Sequence, residues 1–490
     1  MSAPDPPAPP PPGHPAPDLP APDLPAPDLP APDLPAPGHQ APDDLLDALS
    51  AWVAIASVSS EPDRAGDVTR SARWLTDLMR RTGFPHTEIW PTRSGLPAVH
   101  GCWPAADPAA PVLLVYSHHD VHAADPGEWR LTKPFEPHRH DGRLYGRGAS
   151  DAKGQILCHL WALRAHLADT ARDAPAVTVK YLVEGEEETG SRHLADLLAE
   201  HADALAADVV MISDTMLWSL RDAAVCAAVR GSVTATLTVR GAHRDLHSGA
   251  VSGAAANAAT ELCRLLGGLH DHTGRITLPG FYEPVAEPDP QLRASLDGLP
   301  FDPGAWLART GTFGAGGEAG FTVPERLWTR PSAEVARLTA GPTDRPALGL
   351  VPADASADLL LRLVPEQRAD EVAEQLRAWL DAHRRPGFGY RLEVSPTISD
   401  PYRTPPDHPA LAALTRAVGH AYGAPPRLIG NGGAAPAAQL ARACAAPVLF
   451  FGTGLPGDRW HGPDERAETA ALGLGVRALA RFFEELAATA

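Results

Sequence analysis

The chain is poor in the features that mark several protein classes. None of its 490 residues falls in an apolar run of about 18 or more, so no membrane-spanning helix is expected. Its five cysteines, Cys102, Cys158, Cys226, Cys263 and Cys444, are scattered without any C-x-x-C spacing. That pattern indicates neither a thiolate zinc site nor a disulfide framework and fits a reducing cytoplasm. Basic residues are outnumbered 42 to 60, and the net charge of −18 repels phosphate backbones and anionic lipid surfaces. Nucleic acid and membrane are therefore not expected partners. The first 40 residues hold no Lys or Arg and no apolar core of the kind a secretory leader needs.

What is present begins with proline. Residues 1–42 contain 18 of the 53 prolines, with Ala-Pro-Asp-Leu-Pro repeated four times from Ala16 to Pro35. Proline at this density fixes φ and removes backbone donors, which predicts a disordered, polyproline-II-like tail. Such a tail is a spacer, a docking segment for a Pro-binding groove, or a product of replication slippage. From Asp43 the pattern is globular. Leu45, Leu49, Trp52 and Val53 have helical spacing, as do Ala72, Leu75, Leu78 and Met79 in a second helix that stops at Gly83. The apolar run at 112–116 reads as a buried strand, and the segments 177–183, 209–212 and 448–451 read as further strands alternating with helices.

A different style occupies about residues 230–396. Val233, Ala235, Leu237 and Val239 alternate with Thr234, Thr236 and Thr238, the period-two signature of a sheet covered on one face. A helix over about 253–266, a Gly/Pro-rich stretch over about 280–320, strands near 332–338, 358–364 and 390–394, and a helix through Val372, Leu376 and Leu380 complete an α+β insert. The resulting division is a tail at 1–42, a catalytic unit built from 43–229 and 397–490, and an inserted domain at 230–396.

The chemistry gathers where the buried strands end. Val112 to Tyr116 leads into Ser117-His118-His119-Asp120, and a His and an Asp two residues apart point the same way on extended chain, so one can bind a metal while the other orients it. Asp151 enters a helix, Glu188 follows the second strand, Asp214 the third, and His461 precedes the last helix. In open α/β sheets the crevice beyond the carboxyl ends of the strands is the ligand site. Imidazole and carboxylate without thiolate suit zinc, manganese or cobalt. Five such ligands exceed one tetrahedral ion, whereas a bridging carboxylate accommodates two.

The motifs Ser117-His118-His119-Asp120-Val121, Gly146-Arg147-Gly148 through Asp151-Ala152-Lys153-Gly154, Glu187-Glu188-Thr189-Gly190-Ser191, Ile212-Ser213-Asp214, Asp245-Leu246-His247-Ser248-Gly249, Leu361-Arg362-Leu363-Val364-Pro365 and His461 with Glu465 resemble those of the di-metal aminoacylase/carboxypeptidase metallopeptidases of clan MH. The carnosinase and cytosolic dipeptidase branch is the nearest in pattern, and the resemblance spans nearly everything from Asp43 onward. It implies an α/β fold: a mixed, mostly parallel sheet sandwiched by helices, with an inserted ferredoxin-like α+β dimerisation (lid) domain. It also implies two divalent ions per subunit, zinc foremost with manganese or cobalt as alternatives. By resemblance Asp151 bridges them, His118 and Asp214 complete one site, and Glu188 and His461 complete the other. Asp120 then orients His118, and Glu187 is the general base for a water shared by the ions. His247 polarises the scissile carbonyl from the partner subunit of a homodimer, and Arg362 holds the substrate carboxylate.

Substrates implied are small peptides or acyl-amino acids. Asp at position 214 tilts the reading toward dipeptides, since Glu there is more usual in aminoacylases. Where the dipeptidases usually carry Arg-Glu-Gly-Gly-Ser-Ile-Pro, this chain has Gly430-Asn431-Gly432-Gly433-Ala434-Ala435-Pro436. That departure leaves N-acyl- or N-carbamoyl-amino-acid hydrolysis open as an alternative, beside a scaffold that kept the fold and lost catalysis.

Overall fold

The computed structural model describes residues 40–288, 290–343 and 348–489. The expected Pro-rich tail lies outside them except for its last three residues, where buried Ala41 donates its amide to the Thr469 carbonyl at 3.0 Å.

Six strands form the central sheet, in the spatial order His86–Trp90, Ala98–Trp103, Thr178–Glu184, Val112–His118, Val209–Ile212 and Val448–Phe450. The last four are mutually parallel, and the first two add an antiparallel edge. Side chains alternate across a strand, and in Val112–His118 both sets are apolar as far as Tyr116. Leu113 and Val115 pack into one core with the helices Asp43–Val53, Ala65–Thr82, Lys153–Thr170, Pro409–Tyr422 and Thr469–Ala487. Leu114 and Tyr116 pack into a second core with the helices Leu194–Glu200 and Ala437–Cys444. A strand buried on both faces has only its ends free for polar groups, which is why the charged residues gather there. Among the described residues no helix is long and apolar enough to cross a membrane.

A second, four-stranded antiparallel sheet forms the lid. Its spatial order is Gly389–Val394, Gly231–Arg240, Asp354–Leu363, Ser332–Ala340. Counted along the chain this is fourth, first, third, second, with one helix after the first strand and another before the fourth, as in a ferredoxin-like βαββαβ unit. Val233, Ala235, Leu237 and Val239 face the helices Ala258–Gly267 and Ala369–His383 in a core of their own, while the intervening threonines stay half-buried.

One local expectation is corrected and two features go beyond the sequence pattern. The helix expected from Gly253 starts at Ala258, because the Asn257 side chain caps it by accepting from the Thr260 amide at 3.2 Å. The Gly/Pro-rich stretch over 280–320, given no element from the sequence, contains the helices Pro290–Asp297 and Pro303–Thr310. Each opens on proline, whose missing N–H costs nothing in a first turn, and Asp302 caps the second. Two short three-stranded sheets also escape the sequence pattern. One joins Arg143–Tyr145 to His138–His140 and Arg466–Glu468; the other joins Ala224–Val229 to Tyr402–Arg403 and Arg427–Asn431.

Candidate metal centre

His118 is the last residue of its strand and fully buried. Its Nε2 lies 3.2 Å from Asp151 Oδ1 and 3.8 Å from Asp214 Oδ1. Asp151 sits in the turn before the helix Lys153–Thr170, and its other oxygen, Oδ2, lies 3.0 Å from His461 Nε2. That nitrogen is in turn 3.2 Å from Glu188 Oε2. Asp151 therefore stands between two imidazoles, one on each carboxylate oxygen. Ligand atoms of His118, Asp151 and Glu188 lie within 4.8 Å of one another, and so do those of His118, Glu187 and Asp214. Glu188 Oε1 and Asp214 Oδ1 are buried without a hydrogen-bond partner. Buried carboxylate oxygens are seldom left bare, and carboxylates gathered with imidazoles in one pocket are a donor set that could hold a divalent metal.

The residues around the cluster hold it in place. Asp120 lies beside His118 Nδ1, which is 3.1 Å from its carbonyl and 3.4 Å from its Oδ1. The same carboxylate accepts the amides of Glu187 and Glu188, at 3.2 and 3.1 Å. One buried aspartate thus fixes both a histidine and the 3-10 turn Glu187–Thr189. Glu184, at the end of the neighbouring strand, accepts Tyr116 Oη and, at 2.7 Å, Ser191 Oγ, and Glu186 accepts the His193 amide at 2.8 Å. These bonds clamp both sides of the turn that carries Glu187 and Glu188.

Sequence reasoning assigned no role to Glu465, which is fully buried and pairs with Arg147 at 2.6 Å. It also accepts the amides of Gly148, Ser150 and Asp151, each at 3.1 Å, so it shapes the turn that presents Asp151. Only the motif spacing of Arg147 and Glu465 could have signalled this, because the partners are 318 residues apart.

The electrostatics are those of a crowded acidic pocket. Burial pushes the His118 pKa down, but Asp120, Asp151 and Asp214 outweigh it and hold the group well above its ordinary value. Burial works against ionisation of Asp151 too, yet His118 and His461 depress its pKa. Glu188 goes the other way: burial first, then the charge of Asp151, pushes it up to about 10. Burial likewise raises Glu187, with Asp214 and Asp120 adding to it, and raises Asp214. Without cations the carboxylates cannot all ionise, which is the state a pocket built for positive charge should show.

Seven of the nine candidate residues, His118, Asp120, Asp151, Glu187, Glu188, Asp214 and His461, are thus brought together. The other two lie on the lid. His247 is exposed on the short strand Leu246–His247, paired with Leu350–Val351. Among the described residues, no hydrogen bond or ion pair joins it to the cluster. Arg362 is half-buried, flanked in register by Ser232 and Ser332. Burial lowers its pKa, and among the described residues no carboxylate pairs with it. The divergent loop is packed tightly: a Cβ on Gly430 would sit 2.6 Å from Trp328 Cβ, and Arg230 Nε donates to the Gly432 carbonyl at 3.2 Å.

The sequence profile of the peptidase family M20/M25/M40 matches residues 114–485. The chain belongs to this family. It is similar to a cysteinylglycine-S-conjugate dipeptidase of Corynebacterium striatum, 29% identical over 434 residues that cover 86% of this chain and 91% of the relative. The Beta-Ala-His dipeptidase of Homo sapiens is 27% identical, covering 91% of this chain and 90% of the relative. Among solved structures, an M20 family metallo-carboxypeptidase from Sulfolobus solfataricus superposes with a TM-score of 0.79 at 26% identity, covering 91% of this chain and all of that one. Every motif from Asp151 to His461 lies inside the matched span, and His118 and Asp120 fall at its start.

Proposed function

We propose that the chain is a dipeptidase whose strand-end cluster holds two divalent ions. The observation that carries this reading is Asp151, with one imidazole on each of its oxygens and an orphaned carboxylate oxygen on Glu188 and on Asp214. His118 and Asp214 would hold one ion, Glu188 and His461 the other, and Asp151 would bridge them. Zinc suits this N/O set best, with manganese or cobalt as alternatives. Bound ions would supply Lewis acidity and a water acidified toward neutral pH.

The protein's own groups account for the remaining steps. Glu187 reaches into the cluster without being needed as a ligand, so it is the base that takes a proton from water and passes it to the leaving amine. Asp120 keeps His118 and the Glu187 turn in register. Arg362, half-buried with no carboxylate beside it, receives the substrate's own carboxylate. The names of the relatives favour dipeptides, and the solved metallo-carboxypeptidase is compatible with the same carboxylate anchor.

The lid, taken as residues 230–396 between catalytic segments 43–229 and 397–490, supplies His247 as the donor to the developing oxyanion. Because His247 is exposed and apart from its own cluster, the donor is His247 of the partner subunit in a homodimer. The edge strand Ser332–Ala340 supports pairing of lids, with Val335 43% and Leu338 51% exposed along it. All five cysteines are free, which supports a reducing, cytoplasmic setting. The test is amino-acid release from a panel of dipeptides and N-acyl-amino acids, with and without chelator. Chelator-sensitive cleavage of dipeptides is expected; cleavage of the N-acyl-amino acids alone would assign the alternative, and no hydrolysis by metal-loaded enzyme would leave the scaffold reading.

A further inference from the structure

The two histidines of the cluster are supported in different ways. The ring of His118 is buried, and its far nitrogen is held by Asp120. A metal-binding imidazole ordinarily has its second nitrogen fixed by such a hydrogen bond, which sets ring orientation. His461 has none: among the described residues nothing hydrogen-bonds its Nδ1. It is also 52% exposed, and its backbone is left-handed at φ 61°. Nevertheless its Nε2 is aimed between Asp151 and Glu188.

What lies against it is a third imidazole. His122 stacks on His461 with ring centroids 4.5 Å apart and planes 13° from parallel. The His122 ring is itself oriented, its Nδ1 3.0 Å from the Ala123 carbonyl. The backbone on both sides of it is tied down. Val121 donates its amide to Ser57 at 2.9 Å. Further on, the amides of Arg130 and Leu131 donate to Asp464 Oδ1 at 2.9 and 3.0 Å. Asp464 belongs to the same loop as His461, so the loop carrying His122 and the loop carrying His461 are fastened to each other.

We propose that His122 is a positioning residue for His461: its ring plane does for the exposed imidazole what the Asp120 hydrogen bond does for the buried one. The flat face restricts rotation of the His461 ring and keeps its nitrogen directed at the pocket, at a separation normal for stacked rings. This rests on the reading of His461 as a metal ligand. It assigns His122 no contact with substrate or ion.

Zinc titration calorimetry on the metal-free full chain tests it, comparing wild type with His122→Ala, His122→Phe and His461→Ala. The account expects two zinc sites in wild type and loss of one in His461→Ala. In His122→Ala that same site should weaken by about 10-fold, the scale seen for outer-shell partners, with the other site unchanged. His122→Phe keeps a flat ring without a nitrogen and should restore most of the affinity. Since His122 is exposed, the metal-free melting temperature should not move. His122→Ala with both affinities unchanged would overturn the proposal, as would a His122→Phe chain as weak as His122→Ala. If His461→Ala titrates like wild type, the ligand assignment is at fault and the proposal falls with it, a pattern distinct from failure of the stack alone.

Discussion

The end of the parallel sheet and the lid sheet solve different problems with strands. In the parallel sheet both faces are covered, so polar groups can appear only where strands stop, and His118, Asp214 and the Glu187 turn meet there within a few ångströms. In the lid one face packs on two helices and the other stays half-buried, so Arg362 and the alternating threonines are spread along the strands. The first region is assembled within one chain. The second carries Arg362, with His247 on the short strand pair beside it, and among the described residues no hydrogen bond or ion pair joins either to the cluster.

The largest effect should come from breaking the assembled region. Glu187→Gln removes the proposed base and leaves every proposed ligand, so steady-state turnover should fall by about 10²–10⁴-fold while metal content, read by elemental analysis, stays at the wild-type level. Near wild-type turnover would take Glu187 out of the mechanism.

A second experiment separates the two regions. His247→Ala and Glu187→Gln chains, each inactive alone, should regain part of the activity when mixed under conditions of proven subunit exchange. Mixed dimers then contain one site with both defects and one with neither. A mixture that stays inactive would place His247 in its own chain's cleft and remove the asymmetry.

A smaller effect concerns stability. Glu188, raised from 4.5 to about 10 by burial and by Asp151, keeps its proton in the metal-free fold while the unfolded chain ionises it. The folded state then binds more protons across that interval, so its stability is full below pH 4.5 and declines as pH rises toward about 10. The slope from this one group is at most about 1.4 kcal/mol per pH unit. Glu188→Gln should flatten the pH dependence of denaturant midpoints in metal-free protein, and an unchanged slope would mean that Glu188 is already ionised.

Much of this contrast was legible in the sequence, for a physical reason. A continuous apolar run such as Val112 to Tyr116 reads as a strand covered on both sides, and a His or Asp immediately after such a strand sits at the sheet's rim. The alternation from Val233 to Val239 marked the lid equally well. What could not be read were interactions set by closure over long separations. The acceptance of three amides by Glu465 more than 310 residues away and the Asp120 clamp on the Glu187 turn leave no local pattern. Nor does the stacking of His122 on His461. The helices Pro290–Asp297 and Pro303–Thr310 lie in a stretch so rich in Gly and Pro that no helical period stands out, although proline is at home in a first turn.

Metal stoichiometry tests the central claim most directly. Metal-free wild type and His247→Ala, each loaded with zinc and freed of excess, should both retain about two ions per chain, since a bridging carboxylate with four further ligands provides for two and none of them lies on the lid. No more than one tightly bound ion in wild type would contradict a two-metal centre at the strand ends, and loss of an ion in His247→Ala would contradict its assembly by the catalytic sheet alone.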